Sequence, residues 1–181
     1  GNRFDFGIGI SPWEEDFAIC GVPWEKRGKR LDEQIDILRG LETGEYFGYV
    51  GEIHNMPANK MNPVPTKPTP LLIGGHTELA LKRAARVGDG WMCAGANIEE
   101  LEAYIGRINQ LRQEYGTADK PFRVYTTGQN AFTPEGIEKL ESIGVSDVII
   151  GFRNVYAMEA DKPLEEKIGM LNWYAGEFIH G

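Results

Sequence analysis

An α/β fold with a parallel sheet is what this sequence predicts, on three observations. Short apolar runs recur along the chain, and each is followed by a stretch whose apolar residues have helical spacing. Turns of glycine and small residues stand where those runs end, at 7–11, 74–77 and 94–97. The resulting order is β-α-(excursion)-β-α-β-α-β-α-β-α, with crossovers expected to be right-handed. Five βα units suit either an open doubly wound sheet or part of a (β/α)8 barrel. In both, ligands sit at the C-terminal ends of the strands.

The first element, Arg3 to Ile10, alternates and then becomes wholly apolar or glycine, which reads as a strand running into a loop. Gly7 and Gly9 there allow a close approach to the backbone, by a ligand or by a neighbouring strand. Ser11 to Lys29 reads as a long irregular segment. Its tryptophans, Trp13 and Trp24, and its acidic triplet, Glu14, Glu15 and Asp16, suit a pocket wall or an anchored surface loop. Leu31, Ile35, Leu38 and Leu41 give a helix over Lys29 to Leu41. Glu45 to His54, aromatic and β-branched with glycine interruptions, reads as an extended excursion or hairpin. Pro57, Pro63, Pro65, Pro68 and Pro70 then force a stiff connector over Met56 to Pro70, short enough to be a crossover rather than a domain boundary.

The stretch from Pro70 to Cys93 is the most informative. Leu71, Leu72 and Ile73 form a continuous apolar run, as in a strand covered on both faces. Gly74 and Gly75 turn the chain into a helix marked by Leu79, Ala80, Ala84 and Val87, with Gly88 at its C-cap position. A second strand, Trp91 to Ala94, ends at Gly95. The first turn of this βα unit can hold an anion, because N–H groups at a helix N-terminus point outward with partial positive charge.

Asn97 and Glu100 form a capping-box pattern ahead of a helix carrying Leu101, Tyr104, Ile105, Ile108 and Leu111. Phe122 to Thr127 is a strand. Thr133-Pro134 opens a helix with Ile137, Leu140 and Ile143 toward the core, stopped at Gly144. Asp147 to Gly151 reads as a buried parallel strand. Leu164, Ile168, Leu171, Ala175 and Phe178 mark a last helix, with Asp161 near its N-cap.

At 181 residues, one domain is expected, and 41% hydrophobic with 25% charged residues is ordinary for a soluble globular chain. A net charge of -8 argues against non-specific nucleic-acid binding but leaves room for an anion held by local N–H groups. Cys20 and Cys93 stand far apart, give no disulfide framework, and fit a reduced, cytoplasmic setting. No run approaches membrane-spanning length and no signal-like segment opens the chain. Gly1-Asn2 reads as the end of a preceding loop rather than a natural start. His54 and His180 show no metal spacing. His76 is expected to matter through its backbone at a helix start, Asp89 to hold a turn or salt bridge, and Cys93 to be a small buried residue.

An ordered series of short motifs resembles the luciferase-like monooxygenase superfamily. It runs through Asn2-Arg3-Phe4, Gly7-Ile8-Gly9, Gly21-Val22-Pro23, Arg27-Gly28, Arg30-Leu31-Asp32-Glu33, Ile37-Leu38-Arg39, Thr43-Gly44, Gly51 and Pro63-Val64-Pro65. The strongest pieces are Pro70-Leu71-Leu72-Ile73-Gly74-Gly75, Ala84-Ala85 and Gly88-Asp89-Gly90-Trp91. The chain looks most similar to the deazaflavin-dependent oxidoreductase branch. The resemblance implies a (β/α)8 barrel of TIM type, with these strands as its fourth to eighth and the N-terminal units absent. It implies coenzyme F-420 as first choice, or FMN, and hydride transfer or oxygen activation on a small organic substrate. It also implies a homodimer in the full-length protein, through helices of the first half.

The same resemblance assigns each turn. Gly7, Ile8, Gly9, Ile10 and Ser11 would lie beside the ring and ribityl chain. Gly74, Gly75, His76 and Thr77 would bind the cofactor phosphate, and Met92, Cys93, Ala94 and Gly95 would line the same end. Two positions depart from the pattern: Ser11, where the family often has glycine, and Asp16, where it often has glutamate. Asp16 is therefore given no catalytic role. A truncated, non-catalytic relative that binds a flavin-like ligand is the alternative.

Overall fold

The computed structural model describes residues 3–128, 130–152 and 160–179; Asn2 and His180, named above, lie outside them. In chain order the elements are β1 (Phe6–Ile8), α1 (Glu14–Ile19), α2 (Arg27–Leu41), β2 (Phe47–Val50), β3 (Asn55–Asn59), β4 (Leu71–Gly74) and α3 (Glu78–Val87). Then follow β5 (Gly90–Cys93), α4 (Ile98–Glu114), β6 (Arg123–Thr127), α5 (Pro134–Ser142), β7 (Asp147–Ile149) and α6 (Leu164–Phe178).

Five strands form one sheet in the order β1-β4-β5-β6-β7, every neighbouring pair parallel. That order follows the chain without a reversal, so there is no switch point of the doubly wound kind. Right-handed crossovers in an unreversed order place every connecting helix on the same side, which is the arrangement of a barrel wall. Arg123 reveals the curvature. In a flat sheet β6 and β1 would stand about 14 Å apart, at ~4.8 Å per strand. Yet Arg123 Nη1 donates to Asp5, next to β1, at 2.6 Å, while Nη2 reaches Asp147 of β7 at 2.6 Å. The sheet is bowed, and these charges lie in its trough.

The apolar core lies between the convex face and the helices. Leu71, Ile73, Trp91, Cys93 and Val124 from the strands pack with Leu81, Ala84, Ala85, Leu101, Ile105, Ile108 and Leu111. Strand alternation then sends Gly7, Leu72, Gly74, Met92, Arg123, Tyr125 and Thr127 to the concave face. The caps form as expected: Thr77 Oγ accepts from Ala80 N–H, Thr133 Oγ from Gly136 N–H, and Asn97 and Glu100 complete a capping box. Asp89 ties the N-terminal ends together, its Oδ2 accepting from Leu71 N–H and Arg39 Nη2, both at 2.9 Å.

Several details differ from expectation. Ser11 to Lys29 is not wholly irregular: α1 forms there with no buried residue, pinned by the Ser11 hydroxyl, which donates to Asp16 at 2.5 Å and accepts from Trp13 N–H. The excursion is an antiparallel hairpin whose second strand, β3, extends into the proline-rich connector. Gly88 is the C-cap of α3, as expected, in an extended conformation (φ -81, ψ 148). Glycine is needed because a Cβ would lie 2.7 Å from Ala84 O. β7 is an edge strand with no fully buried residue, Ile149 being 43% exposed. The last helix has Pro163 as its N-cap, two residues after Asp161, which pairs with Lys167, and it buries no residue completely. Among the described residues no helix is long and apolar enough to cross a membrane.

Candidate functional site

The C-terminal ends of β1, β4, β5 and β6 form one rim. Ile8 pairs with Ile73, Gly74 with Met92, and Cys93 with Thr126, so the turns that follow these strands are neighbours. A Cβ built on Gly9 would lie 3.9 Å from Gly74 Cα, and one on Gly74 would meet nothing closer than Ile8 O at 3.5 Å. Both residues have room for a side chain. Strand alternation puts Gly74 on the concave face with Gly7 and Met92, and the Met92 terminal methyl lies 3.4 Å from a Cβ built on Gly7.

Gly75 differs. Its φ of +115 is left-handed territory, and a Cβ would lie 2.9 Å from Ala80 Cβ, so the chain itself requires glycine here. The buried Trp91 indole donates to Gly75 O at 2.9 Å, which fixes the turn in place. His76 stacks on Tyr104 at 5.3 Å and meets the Trp91 ring edge-on at 6.1 Å. Thr77 is exposed and caps α3. Its hydroxyl satisfies the third N–H of that helix, leaving the earlier N–H groups of the first turn to face outward. Glu78 stands beside them, but Arg107 at 2.6 Å and Lys82 at 3.6 Å neutralise it.

Met92 and Cys93 lie on opposite faces. Cys93 is fully buried toward the helices, its sulfur 3.3 Å from His76 Nε2. Burial pushes its thiol up to about 11, so it is neither a nucleophile nor a lining side chain of the trough. Ala94 and Gly95 are exposed on the rim, and Gly95 N–H donates to Thr127 Oγ1 at 3.2 Å. Ile10 is half-buried, and the Ser11 hydroxyl is committed to α1. The turns at Gly7–Ser11, Gly74–Thr77 and Met92–Gly95 are thus brought to one rim.

Sequence reasoning missed the supporting residues. Thr127 bridges two rim turns, Tyr104 braces His76, and the Trp91 indole holds Gly75. It also missed the charges in the trough, which lie at the N-terminal ends of the strands, opposite the rim. Tyr125 donates to Asp5 at 3.3 Å, and Arg123 joins Asp5 to Asp147. The Arg123 guanidinium holds the Asp147 carboxyl below its ordinary value. These contacts join residues far apart in the chain, and no local spacing announces them.

A profile of the luciferase-like monooxygenase family matches residues 1–160. The chain belongs to this family. As a family member, it is 48% identical over 180 residues to an uncharacterised protein of Mycobacterium tuberculosis, covering 99% of this chain and 62% of that protein. It therefore spans about three fifths of that relative's length. It is 29% identical over 129 residues to an FMNH(2)-dependent dimethylsulfone monooxygenase of Pseudomonas putida, covering 68% of this chain and 34% of that enzyme. Among solved structures, an F420-dependent secondary alcohol dehydrogenase in complex with an F420-acetone adduct superposes with a TM-score of 0.70. The likeness covers 82% of this chain and 64% of that one, at 13% identity, which speaks to the fold alone. The luciferase-like relatives have TIM-type barrels, and the parallel sheet here is part of such a wall.

Proposed function

We propose that this chain is the C-terminal part of a flavin- or deazaflavin-dependent oxidoreductase acting on a small organic substrate, with coenzyme F-420 as first choice and FMN as second. The observation that carries the reading is the glycine pair Gly9 and Gly74. The chain's own contacts require glycine at neither position, and Gly74 stands four residues before the first residue of α3. A planar ring against bare backbone, with its phosphate at a helix start, suits that arrangement. Relatives named as F420-dependent and as FMNH(2)-dependent support both cofactors.

The cofactor would supply the hydride or oxygen chemistry when bound. Gly7, Gly9, Ile10 and Ser11 would offer backbone along one side of the ring. Gly74, Gly75, His76 and Thr77 would receive the phosphate, the Thr77 hydroxyl donating its proton while its oxygen keeps the cap. Met92, Ala94 and Gly95 would close the other side and help exclude water. The exposed thiol of Cys20 suits a reducing compartment, and we place the protein in the cytoplasm.

Fluorescence titration of the full-length protein with F-420 and with FMN tests this. Saturable binding of one of them, weakened about tenfold or more by Gly74→Ala, is the expected result. Binding of neither would sink the reading. A second reading is a non-catalytic relative that binds a flavin-like ligand. Cofactor binding without turnover of any reduced-cofactor assay would select it.

A further inference from the structure

On the outer side of the wall, α2 and α3 enclose a groove of about 270 Å³ that the cofactor reading does not use. It is open to solvent on one side and has room for one small ligand. Four cations line it, Lys29, Lys82, Arg83 and Arg86, against a single carboxylate, Asp32. In a chain of net charge -8 this is a local inversion of sign.

The neutralising partners of these cations are shared or already engaged. Asp32 serves both Arg83, at 2.7 and 3.3 Å, and Arg86, at 3.4 Å. Lys29 lies 4.0 Å from Glu33, whose oxygens already accept the N–H groups of Glu52, Ile53 and His54. Lys82 lies 3.6 Å from Glu78, which Arg107 holds through both oxygens. Arg83 is the built part of the site. Its side chain is only 7% exposed, fixed through Nε and Nη2 to Asp32 and Gly28 O, and its Nη1 makes no hydrogen bond among the described residues.

We propose that this groove is a second anion site, which takes a small ligand carrying two or more negative oxygens, either a phosphate monoester or a polycarboxylate. Arg83 supplies a fixed, half-used guanidinium at the floor, and Lys29, Lys82 and Arg86 close over the anion from the rim. A guanidinium suits an oxyanion because its planar N–H fork matches the oxygen spacing. Tyr115 and Leu79 form the apolar walls against which a carbon skeleton rests.

Amide and arginine-side-chain NMR of the whole protein, titrated with inorganic phosphate and with citrate in about 0.15 M salt, tests the site. Chloride serves as the control. Saturable shifts at Gly28, Lys29 and the Arg83 and Arg86 Nε–H groups are expected. They should weaken at least tenfold in the double variant Lys82→Ala, Arg86→Ala. Both changes are at half-exposed positions and leave Arg83 in place. Phosphate without citrate assigns a phosphate ligand, and the reverse assigns a polycarboxylate. Absence of saturable shifts, an equal response to chloride, or shifts unchanged in the double variant would overturn the proposal. So would binding of an acidic peptide alone. Phosphate at the cofactor rim reports on His76 and Thr77 instead, so failure there and failure here are distinguishable.

Discussion

Cys93 and Thr77 show how single residues set the rim. Cys93 reads in the sequence as a small buried residue, and it is one: its sulfur packs on His76 and its thiol is raised by burial to about 11. Cys20 is exposed. Alkylation of the native protein near pH 8 should therefore add one group, at Cys20, and a second only in denaturant, as intact mass will report. Thr77→Ala removes a capping hydroxyl. The expected cost is about 1 kcal/mol, a fall in Tm of roughly 2–4 °C by calorimetry, together with weaker cofactor binding. Gly74→Ala should separate those effects. Its Cβ meets nothing closer than 3.5 Å in the chain, so Tm should hold while cofactor affinity falls.

The β2–β3 hairpin was only half legible as an element. Its aromatic and β-branched run announced an extended excursion, but its anchor is a long-range contact. Glu33 on α2 is buried and accepts three N–H groups from residues 52–54. Burial alone would raise its carboxyl; the N–H groups of His54, Glu52 and Ile53, with Lys29, outweigh that and lower it. In sequence, Glu33 with Asp36 beside Arg30 and Arg39 looks like part of a solvated or locally paired helix face. Glu33→Gln should abolish hydrogen-exchange protection at residues 51–54 before the sheet is affected. Gly40 is the steric counterpart: a Cβ there would lie 2.4 Å from the Phe47 ring. Gly40→Ala should cost about 1–3 kcal/mol in a denaturant melt.

By contrast, the elements from Leu71 to Cys93 and the capped α4 were readable because their signals are local: an apolar run, a glycine turn, a cap three residues from its partner. The short α1 was not readable, having no buried face to impose a period. The exposure of β7 and α6 was not readable either, since an apolar run reads as buried in sequence whether or not a neighbour covers it. The Arg123 network joins three strands and carries a pH signature. The Asp147 carboxyl is held below its ordinary 3.8, first by the Arg123 hydrogen bonds and then by Ser146. A depressed carboxyl contributes its stability above the unfolded value and loses it as pH falls through the folded one. Chemical denaturation should show a plateau above about pH 5 and a loss below about pH 4, with Asp147→Asn flattening that loss.

As a whole molecule, the described residues form a bowed, five-stranded wall with helices on its convex side, and among them β1 and β7 are its edge strands. A closed (β/α)8 barrel has no such edges. The order of strands excluded the doubly wound alternative that the sequence left open, and the family match agrees with a barrel. On the proposed function, the concave rim, rather than the outer helices, receives a flavin or deazaflavin. Hydrogen-exchange mass spectrometry of the full-length protein, with and without saturating F-420 or FMN, tests it most directly. New protection should be confined to residues 7–11, 74–79 and 92–95. Unchanged exchange in all three segments with either cofactor, or protection confined to the outer helices, would contradict it.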